Sequence, residues 1–110
     1  MIFDSDGTTT IVLQEKATLK TFIENLVNGY DKIKNDHIIL NLFSFSKLSE
    51  SDILEFLEIS SKHRAAKKSF VLVTAAISFE DVPEQICVVP TIQEAKDIIE
   101  MEEIERDLGL

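Results

Sequence analysis

Hydrophobic and polar positions change period several times along the chain, and each change marks an element. A hairpin comes first. Met1 to Asp4 and Thr9 to Gln14 flank Ser5-Asp6-Gly7-Thr8, and Asp-Gly between two β-prone runs is a strong turn signal. From Thr18 the residues Leu19, Phe22, Ile23, Leu26, Val27, Tyr30 and Ile33 recur at three and four, the spacing of one helix face. Gly29 interrupts that run late and is expected to mark fraying. Asn35-Asp36 then turns the chain into His37 to Leu42, an apolar run that reads as a strand buried on both faces.

The stretch after that strand carries helix-start chemistry. Ser49 is placed to cap free backbone N–H groups, and Asp52 three residues on is placed to reach back, as in a capping box. Ile53, Leu54, Phe56, Leu57 and Ile59 predict a helix with one broad buried face, packed through Leu54 or Phe56 together with Leu57. Lys62, His63, Arg64, Lys67 and Lys68 gather where that helix ends, complementing its negative pole. Ser69 to Thr74 is a second β-branched run, so residues 37–74 form a βαβ unit with a right-handed crossover. Such a unit puts the junction 47–52 at the carboxyl end of a strand, where open α/β sheets place their sites.

Beyond Thr74 the pattern gives a loop at 75–77, then a short capped start at Ser78 with Asp81 that Pro83 cuts off. A final strand runs from Ile86 to Val89 and is ended by Pro90. Thr91 with Glu94 is a capping box for the last helix, which carries Ile92, Ala95, Ile98, Ile99 and Met101 or Ile104 inward. Its acidic far end, 100–107, is expected to be solvated or frayed.

At 110 residues the chain is the size of one domain, read as a single domain over 1–110. Hydrophobic residues at 45% against 28% charged exclude a disordered chain. No apolar run approaches the ~20 residues of a membrane helix, and the N-terminus lacks signal-peptide features, so the default compartment is the cytoplasm. Cys87 is the single cysteine, which excludes an internal disulfide and a cysteine-clustered metal site; it reads as an inert core thiol. A net charge of −9 opposes nucleic acid as a partner. Gly7, Gly29 and Gly109 form no phosphate-cradling loop, and His37 and His63 lack ligand partners at helical spacing, so no cofactor and no metal are expected. Phe43 and Phe45 flank serines in the loop after a strand, and an exposed pair there would make a partner-docking patch.

The element order ββαβαβαβα resembles the STAS domain, the fold of bacterial anti-sigma factor antagonists, over essentially the whole chain. Leu40-Asn41-Leu42 followed by Ser49-Glu50-Ser51-Asp52-Ile53 stands where that family has an LxL strand leading to Asp-Ser-Ser-Gly-Leu at a helix start. Phe70-Val71-Leu72-Val73 matches its Val-rich strand, and Pro90-Thr91-Ile92-Gln93-Glu94-Ala95 matches its Pro-Ser/Thr-x-x-Glu-Ala entry to the final helix. The resemblance implies an α/β fold: an N-terminal β-hairpin followed by βα units, in a single mixed, mostly parallel sheet with crossover helices. It implies a non-catalytic regulatory module for protein–protein interaction, docking through 43–54, with Phe43, Phe45, Ser49, Glu50, Ser51 and Asp52 as the partner-binding residues. The implied partner is an anti-sigma factor or kinase-like regulator. This chain departs from the family at the phosphorylated serine, where it has Glu50; Ser49 replaces the preceding aspartate and Asp52 the glycine.

A rival signal lies in Phe3-Asp4-Ser5-Asp6-Gly7-Thr8, which looks like the first motif of haloacid-dehalogenase-like phosphatases. That resemblance implies a magnesium-dependent phosphatase with Asp4 as nucleophile and Asp6 as general acid. Against it, the run before Asp4 is short for a buried central strand, and the last strand ends in Pro90 instead of paired aspartates. The hairpin turn explains Asp-Gly without chemistry.

Overall fold

Strand β1 (Ile2–Asp6) and strand β2 (Thr9–Leu13) close the hairpin, with Asp6 opposite Thr9 and Gly7 turning at a φ of 64° that suits a residue without a Cβ. The computed structural model describes residues 2–13 and 17–109, apart from the side chain of Phe79. Met1 and Gln14, expected at the ends of the hairpin strands, lie outside the described residues. The chain continues through α1 (Leu19–Ile33), β3 (His37–Asn41), α2 (Glu50–Leu54), α3 (Leu57–Ala65) and β4 (Phe70–Val73). A 3₁₀ turn (Phe79–Asp81), β5 (Cys87–Val89) and α4 (Ile92–Asp107) complete it.

The fold is α/β, with one mixed sheet of strand order β1-β2-β3-β4-β5. Strand β1 runs antiparallel to β2, and the remaining pairs are parallel, with Thr10 beside Ile38, Ile38 beside Phe70 and Leu72 beside Val88. Side-chain alternation divides the apolar residues between two faces. Val12, Ile38, Leu40, Leu72 and Val88 pack with Phe22 and Leu26 of α1, Ile53 of α2, Ile59 of α3, and Phe56 at the junction between α2 and α3. Ile39, Val71 and Val73 pack with Ala95 and Ile99 from α4 on the other side. All four residues of β4, and His37 to Leu40 of β3, are buried, as strands covered on both faces must be.

Several expectations are corrected by the packing. The helix expected to run unbroken through Ile53–Ile59 divides at Glu55-Phe56, where Glu55 N–H donates to Asp52 O (3.3 Å) and Phe56 N–H to Ile53 O (3.0 Å). These tighter i→i−3 bonds bring Ile53, Phe56 and Ile59, spaced by three, onto one face. Phe56 is fully buried by that turn and Leu54 is left exposed. In α1, Val27 faces solvent while its neighbour Leu26 is sealed in the core. Gly29 does not fray the helix, which runs on to Ile33. A Cβ there would lie 3.2 Å from the Phe3 ring, so the glycine lets β1 lean on α1. In α4, Met101 and Ile104 both point outward, and the helix stays regular to Asp107. Cys87 is half-buried at the sheet edge instead of sealed in the core.

A chain of polar contacts fastens the helices at the amino ends of the parallel strands. Tyr30 O–H donates to His63 Nδ1 at 2.7 Å, and His63 Nε2–H donates to the Asp36 carbonyl at 2.8 Å. Ser69 N–H donates to His37 Nδ1 at 2.9 Å, which leaves His37 Nε2–H to donate to Glu103 Oε1 at 2.5 Å. Arg64 donates to Glu102 and to the Phe70 carbonyl, each at 3.0 Å, and Arg106 donates to Ser69 Oγ at 3.1 Å. Both histidines are therefore structural, each with its two ring nitrogens partnered.

Candidate functional site

The candidate site is built where β3 leaves the sheet. Leu42 N–H still donates to Val73 O (2.9 Å), and Phe45 N–H then folds back onto Leu42 O (3.0 Å) to close a tight turn. The Asn41 side chain steadies that turn by accepting from Phe43 N–H at 3.1 Å. The turn separates the two phenylalanines. Phe45 tucks inward, its ring 5.7 Å from Phe22 in an edge-to-face contact, whereas Phe43 is 51% exposed. Leu48 is buried and plugs the loop onto the core ahead of the helix.

The expected capping box closes in both directions. Ser49 Oγ accepts from Asp52 N–H at 3.2 Å, and Asp52 Oδ2 accepts from Ser49 N–H at 2.9 Å. Ser49 and Asp52 are thus occupied in forming the helix start, as Phe45 is in forming the core. Glu50 and Ser51 stand exposed in the first turn of α2. Of the six expected contact residues, Phe43, Glu50 and Ser51 present their side chains to solvent without a structural task in these contacts.

A second loop, which the sequence showed only as a connection, completes the surroundings. Thr74 Oγ1 accepts from Ala76 N–H at 3.0 Å and turns the chain after β4. Thr74, Ala75 and Ala76 face Phe43, Phe45 and Ser46 across a shallow cavity. The start of α4 lies at the same edge, where Thr91 Oγ1 accepts from Glu94 N–H at 3.1 Å. The loops after β3, β4 and β5 therefore meet at the carboxyl edge of the parallel strands. The signal that could have found Thr74–Ala76 is positional: the loop follows the strand adjacent to β3.

Asp4 and Asp6 are placed differently. Both are exposed on β1, the edge strand that runs antiparallel to the rest, so they do not stand at the carboxyl end of a central parallel strand. Asp6 holds Lys96 of α4 at 2.8 Å, and that carboxylate raises the Lys96 ammonium above its ordinary value. No group of three or more His, Cys, Asp or Glu side chains able to hold a metal converges among the described residues.

Elsewhere titration follows burial. Desolvation lowers the His63 imidazole, raises the Tyr30 hydroxyl and raises the Cys87 thiol, so Cys87 is not an activated nucleophile. No described helix is long and apolar enough to cross a membrane. No protein-family model matches this chain, and no curated protein matches it.

Proposed function

We propose that the chain is a non-catalytic regulatory module that docks a partner protein through residues 43–54, as its resemblance to STAS domains implies. The observation that carries this reading is Phe43, a half-exposed aromatic held by a hydrogen-bonded turn beside a cavity at the carboxyl edge of the sheet. Large aromatics that enter a partner's pocket supply much of the energy of an interface. Glu50, five positions past Phe45, gives the same surface a fixed charge at the helix start.

Glu50 stands where the resembled family carries its phosphorylated serine. It brings one negative charge where phosphoserine brings about 1.5 to 2, so the surface is held near the charged state without a kinase. The reading carries with it a cytoplasmic setting and a partner of the anti-sigma factor or kinase-like class.

The test begins with partners that co-purify with the chain from its native cell and are identified by mass. Titration of that partner should then lose more than ~1 kcal/mol with Phe43→Ala and change by a similar amount with Glu50→Ser. Equal affinities for all three proteins would refute the docking site. Magnesium-dependent turnover of a phosphate ester that disappears in Asp4→Asn would refute the non-catalytic assignment.

A further inference from the structure

The outward face of α4 carries an apolar stripe that the fold leaves uncovered. Met101, Ile104 and Leu108 are 54%, 53% and 68% exposed, and their spacing of three and four sets them in one row. The opposite side of the helix holds Ala95 and Ile99 in the core. Helical geometry places Glu100 and Asp107 along one flank of the stripe and Glu105 along the other, with Asp97 at its head. The two bases of α4 are turned to the body of the protein: Lys96 binds Asp6, and Arg106 binds Ser69 and lies 3.9 Å from Glu102. The solvent side of the helix is thus apolar along its centre and acidic along both margins.

That charge pattern selects the occupant. A second copy pairing stripe to stripe would set acid against acid, and an anionic lipid surface would be repelled in the same way. A helix with apolar residues along one face and Lys or Arg beside them satisfies the centre and both margins. We propose that the Met101–Ile104–Leu108 face docks a basic amphipathic helix of a partner protein. The stripe is small, which places the contact among transient ones. It is separate from the 43–54 surface and does not rest on that reading. Glu103 and Arg106 tie this half of α4 to His37 and Ser69, at the opposite ends of the strands from Phe43.

The test uses the full chain and two designed helical peptides with the same leucine row, one flanked by lysines and the other by glutamates. In amide chemical-shift titrations the lysine-flanked peptide should perturb residues 97–108, and the glutamate-flanked peptide should bind at least about tenfold more weakly. Met101→Ser combined with Ile104→Ser should lower affinity for the lysine peptide by about tenfold or more, with thermal unfolding unmoved because both side chains are exposed. Glu100→Lys with Glu105→Lys should reverse the preference between the peptides. The proposal is overturned if neither peptide binds, if both bind alike, or if the shifts fall elsewhere. It is equally overturned if the serine variant binds undiminished, or if the wild-type chain self-associates through this stripe.

Discussion

The Tyr30 hydroxyl and the His63 imidazole meet at 2.7 Å across α1 and α3, in a bond that only one arrangement of protons completes. His63 Nε2–H is committed to the Asp36 carbonyl, so Nδ1 is the acceptor and Tyr30 the donor. The imidazole is fully buried, and burial pushes it below its ordinary 6.5; the Asp36 bond opposes that shift, while His37, Lys68 and Arg64 add to it. The unfolded chain therefore binds a proton at pH values where the folded protein does not. Stability rises with pH across that window: the contribution is complete above 6.5 and is lost as pH falls from there through the lower folded value. His63→Gln should be less stable near neutrality, by about 1–3 kcal/mol for partners left unpaired. Its urea midpoint should also fall less steeply than that of wild type as the pH is lowered. Parallel pH profiles would show that His63 is not the titrating group.

Leu26 and Val27 are adjacent apolar residues with opposite environments, at 0% and 57% exposure. Leu26→Ala should cost about 2–5 kcal/mol, a large share of a small domain's stability. Val27→Ala should change it by no more than about 0.5 kcal/mol. Chemical denaturation of the two variants side by side checks the rotation of α1, and similar losses would show that the helix is turned otherwise.

Much of this fold was legible because its signals are local. The Ser49/Asp52 and Thr91/Glu94 caps join residues three apart, so their chemistry shows in a short window of sequence. The alternation between sheet faces and the Asp-Gly turn are of the same kind. What escaped depends on distant partners. The rotation that turns Met101 and Ile104 outward is fixed by Glu103 on His37 and Arg106 on Ser69, contacts spanning 66 and 37 residues. The break at Glu55-Phe56 follows from three apolar residues sharing one core, which helical periodicity alone does not reveal. At the candidate site, the residues of the β3 loop could be named in advance. The division of labour between exposed Phe43 and packed Phe45 required the position of Phe22.

The reciprocal bonds of Ser49 and Asp52 predict a coupled energetic effect. Ser49→Ala should cost about 1 kcal/mol, within the range for lost helix caps, and Asp52→Ala a comparable amount. Because each side chain accepts from the other's backbone, the double variant should lose less than the sum of the two. A double-mutant cycle by urea denaturation measures this, and strict additivity would show that the caps act separately.

Lys67 ends α3 with a φ of 67°, in the left-handed region that favours glycine. Its N–H donates to Arg64 O (3.0 Å) and Lys68 N–H to His63 O (3.3 Å), the paired bonds of a Schellman termination. A side chain in that conformation costs about 1–2 kcal/mol, against the ~0.5–1 kcal/mol of extra chain entropy that glycine loses on folding. Lys67→Gly should therefore raise stability by about 0.5–1 kcal/mol, read as a higher thermal midpoint. A lower midpoint would show that the lysine side chain contributes more than its backbone strain takes away.

The strand order β1-β2-β3-β4-β5 bears on how the molecule is made. No later strand has to insert between two earlier ones, and every parallel strand pairs with the one synthesised immediately before it. Loop closures therefore remain between sequence neighbours, the arrangement that costs least entropy and favours rapid folding. Growth proceeds by addition at a single edge. A ribosome releasing this chain from its N-terminus presents each new strand to a template already in place.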